Sequence, residues 1–495
     1  MTIPRDRYLE RLIRKKDNGS VKIITGIRRC GKTTLLFDIF LKHLIESGVS
    51  EDHVVAINLD DRRSRGLRDA DALCEEVEGR MSDSGTYYVL IDEIQLVDGF
   101  ESAVNELNNL ENTDVYVTGS NSKFLSTDII TEFRGRGDEL RVYPLSFSEY
   151  ASAFEGTAAE AWRQYMLYGG MPELLRRPEA DDKAAYLKNL VRNVYVKDIQ
   201  NRYSPEKRDD LMDIMGLLFS GIGCLSNPKR IADTLRTVKG SNISYETVSK
   251  YIGMLEESFL FEKASRYDIK GSQYLGSPFK YYAADVGLRN SFLNFRQTEP
   301  SHIMENVIYN ELRSRGLDVD VGAVETRRTV DGERVHSILE IDFMVDRGDR
   351  RYYIQSAYSA EDPGKKEQEA RPFRELRDGF KKILIRGDEV PRHYDDNGVL
   401  NIWVIDFLMD PGSLDARRAR SDGARRLRGG GDGTGLASWR PSRGRLSEPQ
   451  PAVGRAAFPM HTGESRRIQM DAYASTWPIC CTSNTVLRPP PLSPP

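Results

Sequence analysis

Short apolar runs alternate with helix-period stretches through roughly the first 150 residues. Val21–Thr25, Val54–Leu59, Tyr87–Ile91, Val115–Thr118 and Leu140–Tyr143 read as short buried strands. Between them lie amphipathic stretches such as Leu35–Ile45, which sets Leu35, Leu36, Ile39, Phe40 and Leu44 on one face. Strands alternating with helices predict a parallel sheet covered on both faces. From about 151 to 290 the pattern turns mostly helical. Lys229–Thr237 predicts one helix and Ser244–Leu260 a second, with Ser244 as its N-cap. Leu260–Tyr267 and Lys280–Ala283 then alternate like a small hairpin, so the order is that of a winged helix-turn-helix. From about 300 to 408 the chain becomes α/β again. A helix is expected over His302–Arg315, and strands over Asp318–Val321, Ile338–Val345, Arg351–Gln355, Lys382–Ile385 and Leu400–Val404.

Beyond about Pro411 the periodicity ends. Arginine, glycine, proline and serine dominate, lysine disappears, and the chain closes on a proline-rich run. Either a disordered tail or translation in a different reading frame has this appearance. No function is read from it.

The chain has 495 residues, which suggests about three domains. At 39% hydrophobic and 29% charged it can bury ordinary globular cores. A net charge of −4 gives no global pull toward nucleic acid or an anionic membrane. Cys30, Cys74, Cys224, Cys480 and Cys481 form no Cys-x-x-Cys pair, and the histidines show no ligand spacing. A reducing, cytoplasmic compartment without a disulfide framework or zinc site is expected. The first ten residues lack the apolar core of a signal peptide, and no apolar run is long enough to span a membrane.

Candidate chemistry starts at Gly26-Ile27-Arg28-Arg29-Cys30-Gly31-Lys32-Thr33, followed by Thr34. The pattern follows a strand and opens a helix, the setting a P-loop requires. Its glycines let backbone N–H groups approach phosphate oxygens, and the helix N-terminus adds partial positive charge. Lys32 supplies a mobile charge for the β- and γ-phosphates, and the Thr33 hydroxyl is placed to ligate Mg²⁺. Arg28 and Arg29 face either solvent or a partner. About sixty residues on, Tyr87-Tyr88-Val89-Leu90-Ile91-Asp92-Glu93 is an apolar strand ending in two acids. Asp92 is expected to hold the Mg²⁺ shell. Glu93 is the candidate general base for an attacking water. ATP and Mg²⁺ are therefore the expected cofactors. A third strand ends in Gly119-Ser120-Asn121, where Ser120 or Asn121 could bond the γ-phosphate or the water, or simply form a turn. Arg134-Gly135-Arg136 offers either an arginine finger or a solvated basic loop.

Together with Thr-Gly-Ser-Asn-Ser, Tyr-Pro-Leu-Ser-Phe-Ser-Glu-Tyr, Tyr168-Gly169-Gly170-Met171-Pro172-Glu173 and Asn193-Val194-Tyr195-Val196-Lys197-Asp198-Ile199, these motifs resemble a known family. It is that of prokaryotic AAA-type ATP-binding proteins carrying a C-terminal domain of unknown function, number 4143. The resemblance covers about residues 5–408. It implies a P-loop AAA-like ATPase core over 1–150, a helical lid over 151–205, a winged helix-turn-helix over 206–295 and a nuclease-like α/β domain over 296–410, with 411–495 as the tail. It also implies that Gly170 and Pro172 fall where related ATPases touch the adenine base, or else form a turn between helices.

The later segments are less charged than their folds suggest. Ser244–Leu260 offers only Lys250, against Glu246, Glu256 and Glu257. Lys229, Arg230, Arg236 and Lys239 nearby are sparse for a duplex-binding surface. Either DNA binding or a protein-contact role, including self-association, is open. Glu305, Glu340-Ile341-Asp342-Phe343 and Tyr352-Tyr353-Ile354-Gln355 resemble the core of PD-(D/E)xK nucleases. Gln355 stands at the second acid, however, and Ala357 at the lysine position. A degenerate domain used for binding or assembly is expected. The expected function is an ATP-driven conformational switch. An ATP-gated DNA- or protein-binding regulator with little turnover, or an ATP-dependent nuclease, stands as the alternative.

Overall fold

A computed structural model describes residues 2–120, 137–203, 208–330, 333–348, 350–359 and 363–415. Five parallel strands build the first sheet: β1 (Val21–Thr25), β2 (Val54–Asn58), β3 (Tyr87–Asp92), β4 (Thr113–Gly119) and β5 (Gly137–Arg141). Their spatial order is β2-β3-β4-β1-β5. The expected strands reappear within a few residues, except that the fifth starts three positions earlier and ends at Arg141. All residues of β1 and β3 are buried, as a parallel sheet covered on both faces requires. The order inserts β4 between the P-loop strand and the acid-tipped strand, so three strand ends meet at one edge.

The helix after the P-loop winds as π-helix over Thr34–Phe40 and as α-helix over Leu41–Glu46. A helix that the apolar pattern does not announce, Asp6–Lys15, packs Tyr8 and Leu12 against it. Further along, Ala180–Asn189, Leu190–Tyr195 and Val196–Tyr203 run on as one helical stretch, again π-wound in the middle.

A second sheet has nine strands. These are β6 (Leu225–Ser226), β7 (Phe261–Asp268), β8 (Gln273–Ala283), β9 (Asp318–Val330), β10 (Glu333–Arg347), β11 (Arg350–Ala357), β12 (Lys381–Arg386), β13 (His393–Tyr394) and β14 (Leu400–Trp403). Their order is β13-β14-β12-β11-β10-β9-β7-β8-β6. The hairpin β7/β8 follows the helices Pro228–Lys239 and Tyr245–Glu257, with Ser244 as N-cap of the second. It does not stand apart as a free wing. β7 pairs in parallel with β9 through Arg266↔Val321, Tyr267↔Gly322 and Asp268↔Ala323. β9 and β10 run much longer than apolar alternation suggests, because their far ends pair with each other and carry charged residues such as Glu325 and Arg327. The helix expected over His302–Arg315 spans Pro300–Ser314.

One apolar core joins the P-loop helix (Leu35, Leu36, Phe40) to Tyr168, Leu187 and Tyr195, and on to Ile214, Leu235 and Val248. Another joins Phe147 and Trp162 to Ile308, Phe343 and Ile402. The fold runs to Asp415, with Ser413 and Leu414 buried; the remainder of the expected tail lies outside the described residues. No helix among the described residues is long and apolar enough to cross a membrane. Cys30 and Cys74 are free and buried.

Candidate active site

The loop between β1 and its helix is shaped by contacts that leave no freedom of residue type at its first glycine. At Gly26, φ is 142°, and a Cβ would lie 2.1 Å from the Val142 carbonyl oxygen. Cys30 turns inward, its thiol donating to that same carbonyl at 3.4 Å. Its own carbonyl accepts from Arg5 Nη1 at 3.1 Å. Cys30 is therefore a packed floor of the loop. Lys32 is buried and folds back, donating to the carbonyls of Gly26 at 3.1 Å and Ile27 at 3.3 Å. A buried ammonium whose hydrogen bonds among the described residues go to carbonyls is placed to take anionic oxygens.

Thr33 and Asp92, the last residue of β3, meet directly. Thr33 Oγ1 donates to Asp92 Oδ2 at 2.8 Å. Thr118, on β4, donates its hydroxyl to Asp92 Oδ1 and accepts from the Glu93 N–H at 3.0 Å. Burial pushes the Asp92 carboxyl above the usual range, against the opposing pull of the Thr118 and Thr33 hydrogen bonds. Glu93 adopts φ 56°, a left-handed conformation that is costly for a residue with a Cβ. The kink releases its side chain from the sheet. Gln95 Nε2 donates to Glu93 Oε2, and Ser120 Oγ reaches the same oxygen at 3.5 Å.

These residues open onto a cleft of about 470 Å³. Arg29, Gly31, Lys32, Thr33, Thr34 and Glu93 line one side, and Pro172, Glu173, Arg176, Arg177 and Tyr186 the other. Pro172 lies at the cleft. Gly170 does not line it. Its N–H donates to Asp285 Oδ2 at 2.7 Å, its carbonyl accepts from Leu145, and a Cβ there would meet the Leu145 carbonyl oxygen at 2.2 Å. Close backbone packing accounts for this glycine. Ile27 is buried beneath the loop.

Arg28 and Arg29 keep contact with solvent, Arg29 being exposed and the Arg28 side chain half-exposed, yet each also reaches the helical stretch beside the loop. The Arg28 carbonyl accepts from Tyr195 Oη at 2.8 Å, and its guanidinium lies 3.6 Å from Asp198. Arg29 hydrogen-bonds Tyr186. The helical stretch 180–203 therefore grips the P-loop at both arginines. Asn121, Arg134 and Arg136 lie outside the described residues. The residues the sequence did not single out, Thr118, Gln95, Tyr186 and Tyr195, act through hydrogen bonds across the fold; Tyr195 and Asp198 at least stood in a motif whose purpose was unassigned.

A family model described as an AAA domain matches residues 18–151. An uncharacterized protein of Haemophilus influenzae is 32% identical over 416 residues, 82% of this chain and 98% of that protein. The chain belongs to that protein's family. It carries a P-loop AAA domain. An uncharacterized protein of Methanocaldococcus jannaschii is 27% identical, over 71% of this chain and 77% of its own length. Residues 159–299 match a model described as Domain of unknown function (DUF8612), a different number from the one the resemblance implies. Among solved structures, the Aeropyrum pernix ORC1 protein in complex with DNA is similar at 13% identity, over 59% of this chain and 93% of that one, at a TM-score of only 0.28.

Proposed function

We propose that the protein binds ATP with Mg²⁺ and hydrolyses it, using the turnover to move the helical stretch 180–203 against the P-loop. The observation that carries this is the Thr33–Asp92 hydrogen bond at 2.8 Å beside Glu93, which faces the cleft. A hydroxyl and a buried carboxylate in contact, with Asp92 short of compensating charge, fit the donor set of a hydrated Mg²⁺. Bound there, the cation would neutralise charge on the β- and γ-phosphates.

The chain's own groups have separate tasks. Lys32 leaves its two carbonyl acceptors for the phosphates. Thr118 fixes both acids at once, so Asp92 and Glu93 keep their relative placement. Glu93 orients and deprotonates a water, once its carboxylate leaves Gln95. Tyr195, Asp198 and Tyr186 sense the loop through Arg28 and Arg29. On this reading the helices Pro228–Lys239 and Tyr245–Glu257 act as a winged-helix protein-contact module. Support comes from the exposed face of the second helix, where Glu246 offsets Lys250.

Phosphate release by wild type, Lys32→Ala and Glu93→Gln tests the proposal. Both variants should lose turnover by about a hundredfold or more, the scale of a missing catalytic group. Glu93→Gln should still retain nucleotide. Equal rates in all three would remove the enzyme from the proposal; retained nucleotide without any wild-type turnover would favour an ATP-gated binding regulator.

A further inference from the structure

A second cluster of ionisable groups lies on the nine-stranded sheet. Glu305 comes from the helix Pro300–Ser314, and Glu340 and Asp342 from the same face of β10. Into their midst reaches Lys280 from β8. Its Nζ lies 2.8 Å from Glu305 Oε1, 2.8 Å from Glu340 Oε1 and 3.5 Å from Asp342 Oδ1. An ammonium has three N–H donors and no acceptor, so three carboxylates match its capacity. Tyr282, two residues on and facing the same way, donates its hydroxyl to Glu305 Oε1 at 2.8 Å. The Ser356 N–H donates to Asp342 Oδ2 at 2.9 Å. Gln355 accepts from the Asp342 N–H at 3.3 Å and donates to Glu369 at 3.1 Å.

These are the positions whose sequence resembles a metal-dependent nuclease core. Oxygen sites for divalent cations need carboxylates free to turn toward the metal. Here Glu305, Glu340 and Asp342 are already turned toward Lys280, and Glu369, a further carboxylate near Asp342, is held by Gln355. No group of three or more His, Cys, Asp or Glu among the described residues is arranged to hold a metal ion. The lysine comes from the hairpin, 62 residues before Asp342 in sequence, and not from two residues after an acid on the neighbouring strand.

We infer that Lys280 is a tethered counterion that occupies the place a divalent cation would take, closing the Glu305–Glu340–Asp342 cluster into a metal-free ionic clasp. The clasp ties β8 to the helix Pro300–Ser314 and to β10. Charge balance agrees with this role. Lys280 is buried, which opposes its charge, yet Glu305 and Glu340 outweigh burial and hold its pKa up. Burial, followed by repulsion from Glu305, pushes Asp342 up to about 7, so the cluster sheds surplus negative charge by protonation.

The inference stands apart from the nucleotide site, and its test uses nucleotide-free protein. Mn²⁺ binding is followed by electron paramagnetic resonance and by thermal unfolding in wild type, Asp342→Asn and Lys280→Met. Wild type and Asp342→Asn should bind Mn²⁺ alike, any uptake at Asp92 being common to both. Lys280→Met should gain about tenfold or more in Mn²⁺ affinity and be stabilised by the ion, because it exposes three uncompensated carboxylates. Adding Glu305→Gln should abolish the gain. Mn²⁺ bound by wild type but lost in Asp342→Asn would overturn the inference, as would metal-dependent cleavage of DNA with the same sensitivity. If Lys280→Met does not fold without metal, the comparison of wild type with Asp342→Asn still decides.

Discussion

Gly26 and the Val142 carbonyl set the limit on what the P-loop tolerates. A methyl group at Gly26 would sit 2.1 Å from that oxygen, closer than packed atoms approach, and both partners are backbone. The loop or β5 must shift to make room. Gly26→Ala is therefore expected to destabilise the protein by about 2–4 kcal/mol, in the range of overpacked or strained sites. It should also weaken nucleotide binding, since the carbonyls of Gly26 and Ile27 position Lys32. A urea titration together with a fluorescent-nucleotide titration checks this; near-wild-type values in both would show that the loop relaxes freely. Gly31, by contrast, has Arg5 Nη1 at 3.5 Å and Pro172 Cγ at 3.9 Å from the same construction, both ordinary contacts. Its requirement is the left-handed backbone at φ 101°, not space.

At the level of elements, Asp285 joins two segments that sequence reading treats separately. It N-caps the helix Val286–Phe292 through the Leu288 N–H at 3.0 Å and accepts from the Gly170 N–H at 2.7 Å. Burial raises its pKa to about 6, against these backbone hydrogen bonds. An acid whose pKa is higher folded than unfolded binds its proton more tightly in the native state. Stability is then greatest below the unfolded value, near 4, and falls as pH rises through about 6. Asp285→Asn removes the titration. Relative to wild type, the variant should gain about 2–3 kcal/mol between pH 4 and pH 7, read from denaturant midpoints across that window. A pH-independent difference would place the Asp285 charge in solvent contact. The same junction shows what the sequence makes legible. The P-loop and the acids of β3 are readable because each is a contiguous motif whose neighbours along the chain set its geometry. β1 to β4 are readable for the same reason, since each carries a short apolar run, whereas β5 is displaced from its expected place because Leu140 is its one buried apolar residue. Tyr195 against the Arg28 carbonyl spans 167 positions, and nothing local to either residue signals the other. Lys280 escapes notice because the expected lysine lies on the next strand, whereas sheet pairing delivers it from a hairpin. Gly169 and Gly170 are visible as a motif, but their causes, the approach of Asp285 to the first and of the Leu145 carbonyl to the second, are tertiary.

Across the whole molecule, Glu262 connects the two sheets. It sits on β7 and is buried. Its carboxylate takes Arg141 Nη2 of β5 at 2.7 Å, Arg313 Nε of the helix Pro300–Ser314 at 3.1 Å, and the hydroxyls of Tyr143 at 2.7 Å and Tyr309 at 3.2 Å. Burial works against its charge, but Arg141 and Arg313 outweigh it and hold the carboxyl below its usual range. Removing one member of a buried ionic group leaves the others uncompensated, which costs about 3–5 kcal/mol. Glu262→Ala strands two guanidinium groups and two tyrosine hydroxyls, so it belongs at that upper scale. Glu262→Gln keeps one acceptor oxygen but turns an NH₂ donor toward the other arginine–tyrosine pair, so it should cost less than Glu262→Ala but still destabilise. The consequence extends beyond stability if this node makes the sheets unfold together. Wild type should then melt in urea as one transition over residues 2–415, and Glu262→Ala should show a lower midpoint with a broadened or divided transition. Separate probes tell the sheets apart: Trp403 reports on β14 of the nine-stranded sheet, and nucleotide retention reports on the P-loop. Coincident, merely shifted curves from both probes would mean that the apolar cores alone bind the sheets, and that Glu262 adds stability without cooperativity.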